Sequence, residues 1–290
     1  MTCTRDWPTP SSRSCKTVRY VAPARGTVDP QVFDRLPLAA WRDHAGLLQG
    51  QAWPTIEALN ALWPAPTSIR FVAQDADLLA DGLHYEQRIA EHGRIATRKD
   101  NWHDLLNALV WLRYPELKQA LNLRQMAEIV RMGPKQRSRG QYAMTHFDEG
   151  GVIVVVRDPA LLRLWDAHDW YALFWQHRQA WLDGSIRCEL FGHALLELAL
   201  NPDKLLVGKA VAFLSTGDAN IRHAGAHCAG LIASGALLHD PLELRPLPLS
   251  GIPGWHPANA DEAFHRTTIC YQPKRAGRRY PPASVLWPKQ

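Results

Sequence analysis

The segment DNWHDLLNALVWL, Asp100–Leu112, constrains the fold of this chain more than any other. At 100° per residue, Trp102, Leu105, Leu106, Leu109 and Leu112 share one broad face, and Val110 and Trp111 cover much of the rest. A helix that is apolar nearly all round has to be enclosed by other elements on several sides. Asp100 suits its N-cap, and Pro115 marks its exit. With 290 residues, 46% of them hydrophobic, the chain has enough apolar material to build that enclosure.

The rest of the pattern predicts an α+β protein: a mainly helical single domain with a central β-hairpin or small antiparallel sheet. Up to about Asn122 the reading is helical with proline punctuation at Trp53-Pro54 and Trp63-Pro64. Thr67–Val72 predicts a short strand, and Tyr85–His92 a helix stopped by Gly93. In QYAMTHFDEGGVIVVVR, two runs of strand formers flank Asp148-Glu149-Gly150-Gly151, which reads as a hairpin with a four-residue tip. Asp158-Pro159 opens an aromatic helical stretch whose Trp165, Trp170, Phe174, Trp175 and Trp181 are spaced as core residues. Cys188–Leu200 predicts a helix, LLVGKAVAFL a strand and Ala219–Ser234 a helix. The proline-rich chain from Pro241 onward reads as an extended surface wrap. Residues 1–30 have the composition of a disordered basic arm, 31–275 form the domain, and 276–290 an extended basic tail.

Charge and cysteine usage narrow the class. Residues 1–30, the loop Arg131–Arg139 and the tail Lys274–Lys289 contribute +3, +4 and +5 to a net of +5, which leaves the remaining body at about −7. Basic groups are therefore peripheral, and nucleic acid stays open as a partner through the arm and tail alone. The five cysteines, Cys3, Cys15, Cys188, Cys228 and Cys270, are scattered without a C-x-x-C pair, as reduced cytoplasmic thiols would be. Apolar runs are short, Val152–Val156 among the longest, so neither a membrane span nor a membrane partner is expected. The sequence carries no P-loop, no G-x-G-x-x-G and no G-x-S-x-G, so no nucleotide or dinucleotide cofactor is expected.

Three polar clusters carry candidate chemistry. His103, Asp104 and Asn107 lie on the buried helix, and His103 and Asn107, one turn apart, can converge on one ligand. Asp148 and Glu149 at the expected hairpin tip offer hard oxygen ligands or a general base. Glu189, His193 and Glu197 recur at four-residue steps, a spacing at which imidazole and carboxylate can hold one divalent metal ion. Each cluster also has a plain reading, as a helix-dipole carboxylate, a turn aspartate and the wet face of an amphipathic helix. Arg137 and Arg139, in RMGPKQRSRG, suit the binding of a small anionic substrate beside such a metal.

Four blocks, NWHDLLNALVWLRYP, THFDEGG, FGHALLE and PLPLSGIPGW, in this order and at these intervals, resemble an uncharacterised bacterial domain-of-unknown-function family, DUF 3025. The resemblance spans about Gln31 to Arg275 and implies no reaction, cofactor or catalytic residue. The leading expectation is a metal-assisted hydrolase, on a phosphoester, with His103, Asp148, His193 and Glu197 as metal ligands. Asp104 and Glu149 are its acid–base groups, and Asn107, Arg137 and Arg139 its substrate contacts. The alternatives are a non-catalytic binding or scaffold protein with a buried hydrogen-bond network, and a nucleic-acid-binding protein.

Overall fold

In two places the chain turns from helix to strand with only glycines to mark the change, and these junctions set the architecture. The computed structural model describes residues 20–133, 136–215, 217 and 221–286. Two short parallel strands, β1 (Arg70–Ala73) and β2 (Arg94–Thr97), form a small sheet. The main sheet holds β3 (Gly151–Val156), β4 (Ile186–Leu190), β5 (Val207–Ser215), β6 (Arg245–Pro248) and β7 (Ser284–Leu286). Its order is β4-β3-β5-β6, with β7 also on β5. Every residue of β3 is buried, as expected of a β-branched run paired on both sides. The sheet is mixed: β3 runs antiparallel to β4 and parallel to β5.

The principal helices are α1 (Tyr85–His92), α2 (Trp102–Arg113), α3 (Pro115–Met132), α4 (Arg139–Gly150), α5 (Pro159–Ala167), α6 (His193–Leu198) and α7 (Ile221–Ala233). Gly93 ends α1 in the left-handed conformation, as its position predicts. The α2 helix is the enclosed one: Leu106, Leu109 and Val110 are wholly buried, and α6, α3 and β2 pack around it. One continuous hydrophobic cluster runs from Val32 to Leu286 and takes in both sheets. Trp165, Trp170 and Phe174 belong to it, as their spacing predicts. No helix among the described residues is long and apolar enough to cross a membrane.

Several expectations are corrected. Asp148-Glu149 is not a hairpin tip, because α4 continues through Gly150 before β3 begins. Ser138 and Gln141 form a reciprocal capping box, and Ala143, Met144 and Phe147 recur on one buried helical face, a 3.6-residue period mistaken for a strand. The helix expected over Cys188–Leu200 is a strand and a shorter helix broken at Gly192, so Glu189 sits on β4 opposite Ile153, off the His193 face. The N-cap of α2 is Asn101, whose side chain accepts from Asp104 N, rather than Asp100.

Residues 1–19 of the expected disordered arm lie outside the described residues, and residues 20–30 are among the described ones. Arg25 stacks on Trp53 and Trp102, 4.6 and 5.0 Å from the ring centroids, and its Nε donates to Gly50 O. The tail is not simply extended: Ser284–Leu286 pairs with β5, and residues 287–290 lie outside the described residues. The proline-rich stretch is no surface wrap either. Pro246 and Pro248 sit on an edge strand, which needs no N–H on its open side, and Leu247 and Leu249 are fully buried.

Candidate metal centre

Gly192 brings the site together. An ideal Cβ placed there would lie 2.4 Å from Gly151 N, 2.5 Å from Gly150 Cα and 2.6 Å from Glu149 O, all of them backbone atoms. Only glycine lets the start of α6 rest on the end of α4 this closely, and the N–H groups of Phe191 and Gly192 both donate to Gly151 O. His193, first residue of α6, is thereby set against Asp148 and Glu149 on the last turn of α4. The first turn of α2 supplies His103 from the third side.

The two imidazoles meet tip to tip. Their Nε2 atoms are 3.0 Å apart and the rings stand nearly perpendicular, at 77°. His103 Nδ1 donates to Glu197 Oε2 at 2.9 Å, while His193 Nδ1, buried and without a hydrogen-bond partner among the described residues, lies 3.9 Å from Asp148 Oδ2. One ligand atom each from His103, His193 and Glu149 fall within 4.8 Å of one another, so this trio could hold a metal ion. Nitrogen ligands about 2.0–2.1 Å from a tetrahedral zinc lie roughly 3.3 Å apart, close to the separation here.

Burial pushes His193 down to about 3 despite Asp148, so its ring is neutral near pH 7. The hydrogen bond to Glu197 holds His103 above its ordinary value. Burial alone would raise Asp148, but Lys118 and the two histidines outweigh it and keep the carboxyl low. Glu149 is the exposed member of the trio, and partial desolvation of its carboxyl, with Asp148 and Glu197 nearby, raises it.

The trio opens into a cleft of about 470 Å³ walled by α1, α2, α3, α4 and the β1–β2 pair. Within it Lys118, 3% exposed, donates to Asp148 Oδ1 at 2.6 Å and to Asn107 Oδ1 at 2.7 Å. Asn107 in turn donates to Tyr85 Oη. Glu86, raised by burial, accepts from Asn122 Nδ2. Four carboxylates, Glu86, Asp104, Asp148 and Glu149, face three cations, Arg98, Lys118 and Arg137, so the lining has no surplus of positive charge for an anion.

The structure thus brings His103, Asp104, Asn107, Arg137, Asp148, Glu149 and His193 to one cleft, with Glu197 behind His103. Their roles shift from those expected. Glu149 joins the potential ligands, while Asp148 is held by Lys118 and Glu197 by His103. Asp104 is occupied, accepting from Arg98 N, Nε and Nη2. Arg139 is paired with Asp240 and does not line the cleft. Arg137 lies at the cleft, with Nη2 donating to Thr145 Oγ1 at 2.7 Å. Lys135 of the same loop lies outside the described residues. Lys118, Glu86 and Arg98 were missed. Lys118 left a trace, a lysine in register with Leu121 and Gln125 on the buried face of α3, where water cannot solvate it.

The family described as Protein of unknown function (DUF3025) matches residues 69–275, and the chain belongs to it. That span includes every residue of the cleft and all four recognised blocks. No curated protein and no solved structure matches the chain.

Proposed function

We propose that this chain is a metal-dependent hydrolase in which His103, His193 and Glu149 hold one divalent cation and a phosphoester is the substrate. The observation that carries the reading is the meeting of two Nε2 atoms whose Nδ1 atoms both face carboxylates. With a hydrogen on each Nδ1, both Nε2 lone pairs converge on one place and can bind an ion together, whereas a hydrogen on His193 Nε2 is donated to His103 Nε2. Glu197–His103 has the form of the carboxylate–histidine pairs that orient metal ligands and raise their basicity. A divalent ion would also turn the acidic cleft into one that attracts an anion.

A divalent ion held by His103, His193 and Glu149 would supply Lewis-acid activation of a water, and the Glu149 carboxylate is the base that would take that water's proton. The water oxygen forms the new bond to phosphorus, the ester P–O bond breaks, and the proton is handed to the departing alkoxide. Arg137 neutralises the phosphoryl group, and Lys118 keeps Asp148 ionised beside His193. Arg139, committed to Asp240, takes no part. The free thiols Cys188, Cys228 and Cys270 agree with work in the cytosol.

A second reading, a non-catalytic binding protein, draws on the same network: Lys118 is already satisfied by Asp148 and Asn107, and a hydrogen on His193 Nε2 joins the two imidazoles directly. Metal analysis separates the two. The hydrolase reading expects one zinc or manganese ion per chain by elemental analysis and calorimetric titration, lost in His193→Ala with the circular dichroism spectrum retained. A protein that binds neither ion is the binding protein instead.

A further inference from the structure

We propose that the ester taken by this cleft carries a small polyhydroxylated group, a sugar or cyclitol, rather than an aromatic or alkyl alcohol. The inference rests on the hydrolase reading and extends it to the substrate. At about 470 Å³ the cleft has room for much more than a phosphoryl group, so its walls beyond the ion select what the phosphate is attached to.

Beside the apolar side chains of Trp111, Leu121, Ile129 and Met144, those walls carry uncharged hydrogen-bonding groups that are only half used. Tyr85 Oη accepts from Asn107 Nδ2, which leaves its own hydrogen to donate. Asn122 directs Nδ2 to the carbonyl and carboxyl of Glu86, leaving its Oδ1 as an acceptor. Gln125 directs Nε2 to Thr145 Oγ1, leaving Oε1, while Gln141 receives Ser138 N on Oε1, leaving Nε2. Donors and acceptors are thus mixed on one lining, and Asn122, Gln125 and Gln141 are at most 7% exposed, so water reaches them mainly through the cleft.

A hydroxyl donates and accepts at the same atom, and neighbouring hydroxyls on a ring match such a mixed set. An aromatic or alkyl group would cover the same atoms and leave them without partners, the situation in which polar sites reject apolar analogues most strongly. A purely anionic second group is disfavoured because the lining holds no surplus of positive charge.

The test uses the full chain loaded with zinc, titrated with glucose 6-phosphate, ribose 5-phosphate, phenyl phosphate and inorganic phosphate. At least one sugar phosphate is expected to bind roughly tenfold or more tightly than phenyl phosphate or phosphate alone. Gln125→Met, close in volume, should remove about fivefold of that margin, the value of one hydrogen bond, with zinc stoichiometry unchanged. Phenyl phosphate binding as tightly as both sugar phosphates overturns the proposal whatever the variant does, as does an equal loss of all four probes in Gln125→Met. Should the protein take up no metal, the hydrolase reading fails by itself, and titration of the metal-free chain with glucose then decides the ligand class: binding weakened by Gln125→Met upholds it, and no binding overturns it.

Discussion

Glu197→Gln isolates the part of the candidate centre that least resembles ordinary packing. The amide keeps an oxygen to accept from His103 Nδ1 at the present 2.9 Å, so the ring's orientation survives and only the charge behind it is lost. Hydrogen bonds to an ionised partner contribute about 1.5–3 kcal/mol and neutral ones about 0.5–1.5, a difference of roughly 1–1.5 kcal/mol. The two side chains are 18% and 30% exposed, so solvent screens the longer-range attraction between the carboxylate and the ion, and the hydrogen-bond difference dominates. At about 1.4 kcal/mol per tenfold, zinc affinity should fall roughly 5- to 12-fold, at the low end of what such outer partners contribute to metal sites. Calorimetric titration of zinc into the metal-free protein, with a competing chelator, measures this directly. An affinity within twofold of the parent would refute the reasoning, because His103 would then not be a ligand whose basicity Glu197 supports.

Two further outcomes follow from the walls of the cleft. Lys118→Met leaves Asp148 without the cation that holds its carboxyl low, and denaturant unfolding should show a loss of about 2–4 kcal/mol, reduced from the fully buried case because Asp148 is 28% exposed. Adding Asp148→Asn should recover part of that loss, and a double variant no better than the sum of the singles would remove the coupling. Glu86→Gln tests burial: a carboxyl raised from its ordinary 4.5 binds its proton more tightly folded than unfolded, so its ionisation lowers stability as pH rises through that window. The glutamine variant should therefore match or exceed the parent near pH 8 and lose that advantage by about pH 4, and a difference that does not change with pH would count against the buried carboxyl.

The candidate residues were more legible than the backbone that presents them. His103 stood out as a polar group on an apolar helix, His193 and Glu197 by their four-residue spacing, and Asp148 and Glu149 as adjacent carboxylates, and desolvation makes such groups costly to bury unless they are paired. Their pairing was not legible. The expected Glu189–His193–Glu197 stripe assumed one helix, whereas the chain breaks at Gly192 and sends Glu189 onto a strand. Period alone could not tell the end of α4 from a hairpin arm, because the capping box that starts this helix lies ten residues before Asp148, at Ser138, within a stretch otherwise read as a basic loop.

The sequence by itself determined that α2 is buried and where α1 stops, since each of these follows from local periodicity or turn chemistry. Only the tertiary structure decided that residues 103, 149 and 193 share one point. That meeting depends on a backbone contact between Gly192 and the Gly150–Gly151 junction, and on a buried lysine from α3 that fixes the aspartate beside it. Contacts between elements far apart in the chain leave no period in the sequence, because what selects them is the space available between two backbones and the partner each charge finds once water is gone.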